Sequence, residues 1–183
     1  MDAVEGFWLP VKVSGPDNGR VVVMFDETSP ETAAFDAVRQ RLHAAMLRTV
    51  VIPMDRGLTA KSVVGVLDQL GLPPALLVGD RAGGELAWNV AATEGERLTG
   101  LVVIDSGHPR VSDTNGVIRD QHCPPVHTDT TVLVSTAAAH AVARACRRYV
   151  HGEFRLTELA GRRKSPYFTA QLAAEIVLRS HSW

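Results

Sequence analysis

Arg81 stands between two glycines in the run Val78-Gly-Asp-Arg-Ala-Gly-Gly84, a spacing that suits a turn holding one side chain outward. In a G-x-S-x-G sequence a serine nucleophile sits at the tip of a sharp strand-to-helix turn, and the flanking residues are glycines because larger side chains would collide there. Gly79 and Gly83 keep that frame here, but the residue at the tip is an arginine. A guanidinium is protonated at any physiological pH and offers no lone pair for attack, so it forms no acyl intermediate. At a helix start, where free N–H groups and the dipole favour negative charge, it can help to hold an anion.

A second group of reactive types follows: Asp105, Ser106, His108, Asp113, His122, Cys123 and His127. Imidazole, thiolate and carboxylate are the ligands zinc prefers, and a Cys-His couple can act as a nucleophile pair. His122 and Cys123 are adjacent, however, and the distance back to His108 matches no zinc finger, so a solvated loop without a metal is the expectation. Asp105 closes an apolar run and reads as a strand-end carboxylate capping the next loop.

The elements that carry these residues alternate. Residues 7–13 read as a strand, Gly15-Pro-Asp-Asn-Gly19 as the turn of a hairpin, and residues 20–25 as the central strand it feeds. Ser29-Pro30 reads as a cap and first helical position, with Ala33, Phe35, Val38, Leu42 and Met46 along one helical face. Residues 49–53 form a second buried strand, and a helix over 60–70 is stopped by Gly71. The strand and helix around Arg81 come next, then a buried strand over 101–105. The polar stretch 106–130 is a long loop with room for a short helix. A strand over 131–135, an alanine-rich helix over 137–150, a strand over 154–159 and a helix over 170–178 complete the chain. This order predicts one α/β domain over 1–183, a mostly parallel sheet covered by helices on both faces.

Composition narrows the partners. A hydrophobic share of 45% in 183 residues is enough for a sizeable core. The net charge of -1 supplies no basic field, so neither nucleic acid nor an anionic membrane is an expected partner. Two cysteines make no disulfide framework, Asp2 and Glu5 are the wrong sign for a secretory leader, and no apolar run approaches the roughly 20 residues of a membrane helix. The cytoplasm is the expected location, and no cofactor is called for. Cys146 reads as a buried packing residue, and Arg144, Arg147 and Arg148 as the solvated face of their helix.

Taken in order, residues 21–25 before Ser29-Pro30, residues 64–72 before the Arg81 turn, Leu76-Leu-Val-Gly79 into Gly83-Gly84, and Gly100-Leu-Val-Val-Ile-Asp-Ser106 resemble an α/β-hydrolase-fold protein over nearly the whole chain. The resemblance implies a nucleophile, an acid and a histidine in that chain order. The nucleophile position is Arg81, and the loop expected to hold the acid reads Thr136-Ala-Ala-Ala-His140, with no carboxylate. The loop expected to hold the histidine reads Gly161-Arg-Arg-Lys-Ser-Pro166, where Lys164 matches best and Arg163 is one residue away. Phe25-Asp26-Glu27 replaces the usual His-Gly after the first central strand, and a carboxylate there opposes a developing oxyanion. The helical cap is reduced to the loop 106–130.

The resemblance therefore implies a pseudo-hydrolase that has lost its triad. It binds a small anion or a protein partner in a crevice at the carboxyl ends of the strands, through Asp26, Asp80, Arg81, Ala82, Asp105, Arg163 and Lys164. Two alternatives stand beside it. Arg81 can pair with Asp26, Asp80 or Asp105 and leave a structural subunit with a vestigial crevice. A weak esterase can use Asp105 with Ser106 as displaced nucleophile and His108, His122 or His127 as proton donor. A reduced cap also leaves apolar surface for a second copy to cover, which makes a homodimer an expectation.

Overall fold

The computed structural model describes residues 2–4, 7–26, 32–163 and 165–181. A small antiparallel pair, β1 (Asp2–Val4) and β2 (Phe7–Leu9), precedes the main sheet. That sheet contains β3 (Lys12–Ser14), β4 (Arg20–Asp26), β5 (Leu47–Pro53), β6 (Ala75–Asp80), β7 (Leu98–Ile104), β8 (Thr130–Val134) and β9 (Phe154–Glu158). Its strands lie in the order β3-β5-β4-β6-β7-β8-β9, and every pairing is parallel except β3 with β5. The helices are α1 (Thr32–Ala44), α2 (Ala60–Gln69), α3 (Ala82–Thr93), α4 (Ala137–Cys146) and α5 (Pro166–Ser180).

Strand alternation sorts the core into two layers. Val21, Val23 and Phe25 of β4 point to one face, where they meet α2, α3 and α4 through residues such as Val63, Leu67, Trp88 and Ala143. Val22 and Met24 point to the other, against Val38 and Leu42 of α1 and Phe168, Leu172 and Ile176 of α5. Each such side chain taken fully out of water is worth about 1.5–3 kcal/mol, so the two layers together hold the sheet between the helices. No helix among the described residues is long and apolar enough to cross a membrane.

Several local expectations are corrected. Residues 7–13 do not form a hairpin with β4: Pro10, which has no N–H to donate, separates β2 from β3, and β3 pairs with β5 instead. β4 is buried along most of its length and takes parallel partners on both sides, leaving β3 the outer flank of β5. Met46 is not on the buried face of α1, because the helix ends at Ala44 and Met46 takes a left-handed φ of 62° with its side chain exposed. The Ser29-Pro30 helix start lies outside the described residues. Residues 106–129 hold no helix among the described residues; Asp113 instead accepts from the N–H groups of Asn115 (2.8 Å) and Val117 (3.0 Å), which folds the loop on itself. α5 starts four residues before the expected Ala170, because Ser165 accepts from the Phe168 N–H and Pro166 fits the first turn.

Candidate functional site

Asp26, Asp80, Asp105 and Ser135 all lie at the carboxyl ends of adjacent parallel strands or one residue beyond, so the sheet delivers them to one edge. The turn from β6 into α3 holds Arg81 at φ 50° and ψ −109°, a left-handed conformation costly for any residue with a Cβ. The Arg81 N–H donates to the Ile104 carbonyl at 3.0 Å and fixes the turn to the next strand. A methyl group on Gly79 would sit 2.3 Å from the Gly83 carbonyl oxygen, so the helix starts as close to the strand as a bare backbone permits.

α3 begins without a side-chain cap, whereas Thr59, Thr136 and Ser165 cap α2, α4 and α5. The first N–H groups of α3, from Ala82 on, thus face the edge of the sheet without an intrahelical acceptor. Beside them lies an open crevice of about 200 Å³. Arg81, Glu85, Ser106, Asp113 and Arg119 give it polar walls, and Val111, Ala139 and Val142 an apolar one. Arg119 and Glu85 are residues the sequence reading missed. Arg119 lies in the long loop and meets Glu85 and Asp113 at 3.4 Å each, a contact no spacing rule announces.

Lys164, which the resemblance placed at the histidine position, lies outside the described residues, and its neighbour Arg163 reaches the strand ends. Its guanidinium donates twice to Asp80, at 2.5 and 2.9 Å, and once to Asp105 at 2.5 Å. Asp105 also accepts from the Ser135 N–H (2.8 Å) and hydroxyl (2.5 Å) just past β8, so its carboxylate ties the end of the neighbouring strand and the ion pair rather than capping the loop that follows it. Burial opposes the charge on Arg163, but the bonds and charges of Asp80 and then Asp105 outweigh it and push its pKa above the ordinary arginine value. Arg163 is thus bonded to two carboxylates at the strand ends. Arg81 stays 46% exposed, 3.7 Å from Asp80. Asp26 is not part of the crevice wall: it lines a separate small hollow with Phe35, Asp36 and Arg39.

The loop residues go elsewhere. His108 is buried, stacks on Tyr149 at 4.9 Å and meets the Trp88 ring edge-on. Its Nε2 is 3.0 Å from the Pro124 carbonyl and its Nδ1 3.2 Å from the Arg110 N–H, so a neutral ring donating from Nε2 and accepting at Nδ1 satisfies both. The carboxylate of Asp105 has Ser135 and Arg163 as partners, and no imidazole among the described residues is hydrogen-bonded to it. The Ser106 hydroxyl is buried with no hydrogen-bond partner among the described residues. Burial raises the Cys123 and Cys146 thiols to about 11 each, which keeps both protonated at neutral pH and poor nucleophiles. His122 is exposed, and no group of three or more metal-ligating side chains occurs among the described residues.

Burial lowers the pKa of His108 against the opposing pull of the Pro124 carbonyl. A depressed imidazole binds fewer protons folded than unfolded, so its contribution to stability is whole above the unfolded value near 6.5 and is lost as pH falls below it. Urea denaturation at pH 7.5 and pH 5 should give a smaller stability in acid, and His108→Gln should flatten that difference. An acid loss equal in the variant would assign it to other groups.

No family model and no curated protein matches the chain. Solved structures do. A dienelactone hydrolase from Anabaena variabilis superposes with a TM-score of 0.72 at 17% identity, covering 96% of this chain and 92% of that one. Est1E from Butyrivibrio proteoclasticus gives 0.71 at 12% identity, with 98% of each chain covered. A monoacylglycerol lipase from Paleococcus ferrophilus gives 0.67 at 16% identity, over 96% of this chain and all, 100%, of that one. With the seven-stranded sheet and the turn at Arg81, they define the fold as the α/β-hydrolase fold.

Proposed function

We propose that the chain is a non-catalytic member of this fold that binds a small carboxylate-bearing ligand at the Arg81 turn. One observation carries the reading: the residue held in the strained conformation at the turn is a cation, placed at an uncapped helix start on the wall of a crevice. A guanidinium cannot attack an acyl carbon, yet with the first N–H groups of α3 it can bind a carboxylate. Arg163 offsets part of the charge of Asp80 and Asp105, which would otherwise repel such a ligand more strongly. A cavity of about 150 Å³ admits benzene, so the crevice suits an acid with a body of about that size, such as benzoate or a short branched fatty acid.

A second reading is supported by the hydrolases and lipase that share the fold and by the buried, unpartnered Ser106 hydroxyl beside the crevice. In it Asp105 and Ser106 carry weak ester hydrolysis, with a loop histidine, His108 included, as proton donor.

Titration calorimetry with acetate, isovalerate, benzoate and phosphate, paired with turnover of nitrophenyl esters, separates the two. Benzoate or isovalerate should bind, and Arg81→Gln should weaken that binding about tenfold, the worth of one charged hydrogen bond. Equal binding by the variant would remove the first reading. Hydrolysis above the buffer rate that Asp105→Asn abolishes would establish the second.

A further inference from the structure

Away from the crevice, the chain brings two exposed imidazoles together. Val126 and Val150 form an isolated parallel bridge, in which the Val126 N–H donates to the Tyr149 carbonyl (2.8 Å) and the His151 N–H to the Val126 carbonyl (2.7 Å). His127 and His151 are the residues directly after the bridged pair, and their ring centroids are 4.8 Å apart with the planes at 79°. Gly152 lets the two segments close up, since a Cβ there would lie 2.8 Å from the His127 carbonyl oxygen. Asp129 is also fixed at this point, accepting from the Glu153 N–H at 2.8 Å.

Two imidazoles that share one ion, each with a metal–nitrogen distance of about 2.0–2.1 Å, have centroids about 4.5–5.2 Å apart for angles between square and tetrahedral. The observed spacing falls inside that window, and both rings are exposed, so each can turn about χ2 to present a nitrogen. We propose that His127 and His151 form a two-imidazole site for a late first-row divalent ion, with Cu2+ held tightest and Ni2+ and Zn2+ less tightly. That order follows the general affinity series of nitrogen ligands. No third protein ligand joins them among the described residues, so water or a small external ligand completes the coordination. Bound metal would clip the end of the long loop to the segment leading into β9.

The test uses full-length protein without a histidine tag, titrated with Cu2+, Ni2+ and Zn2+ in a non-coordinating buffer. One ion per chain should bind, and the melting temperature should rise with it. His127→Gln and His151→Gln should each weaken binding about tenfold or more, because the second imidazole acts at a high effective concentration. Both side chains are exposed, so the variants should melt like the parent without metal. His122→Gln should bind as the parent does. No binding at millimolar metal, or binding that both substitutions leave unchanged, overturns the proposal.

Discussion

Arg163→Ala should lose about 3 kcal/mol of stability, a fall of roughly 8 °C in melting temperature, although the residue lies in a loop near the end of the chain. Removing the guanidinium leaves Asp80 and Asp105, 12% and 13% exposed, side by side with only the more distant Arg81, 3.7 Å from Asp80, to offset them. Breaking one member of a buried ion cluster costs more than the cluster contributes as a whole, because the remaining charges stay desolvated. The dependence on charge rather than packing is checked by a second substitution. Asp80→Asn added to Arg163→Ala should restore part of the loss, with a coupling of about 1 kcal/mol or more. A single-variant loss under about 1 kcal/mol, or strict additivity, would mean that the cluster is an ordinary surface ion pair.

Gly79→Ala should cost more, about 4 kcal/mol or failure to fold, since it strikes the backbone that shapes the turn. The new methyl would meet the Gly83 oxygen at 2.3 Å, the Gly83 carbonyl carbon at 2.5 Å and the Gly84 nitrogen at 2.7 Å, all main-chain atoms of the first turn of α3. Nothing there can swing aside as a side chain would, so α3 must shift off the sheet, and Trp88, fully buried in that helix, must shift with it. Guanidinium denaturation gives the measurement. A variant within 1 kcal/mol of the parent would show that the turn has room the glycine does not use.

The sequence carried most of the sheet, because strands buried on both faces are written as apolar runs. Residues 75–79 and 101–104 could not be read otherwise, and β6 and β7 occupy them. The glycines around Arg81 were legible for the same kind of reason, as steric demands that few other turns make. The crevice wall was less so. Arg119 reaches it from an irregular loop whose path depends on Asp113 binding its own backbone, a decision without any periodic signature. Sequence matching favoured Lys164 over Arg163, and a one-residue offset in a glycine-bearing loop cannot be resolved by spacing. Lys164 lies outside the described residues, and among those described it is Arg163, with its planar fork of donors, that binds Asp80 twice and Asp105 once. Asp26 shares the strand end with Asp80 but faces another hollow, a difference of direction that strand counting does not contain.

The two outer strands of the main sheet set a limit on how copies of this protein can meet. β3 is three residues long and begins with an exposed lysine, Lys12. On the opposite side β9 carries exposed charge at Arg155 and Glu158, with half-buried residues between them. A short border and a charged one both discourage another strand from docking and continuing the ladder. Growth of the sheet from chain to chain, the usual route to fibrils in proteins with open borders, is therefore disfavoured at each side. A second copy has the helical faces and the mouth of the crevice left to use.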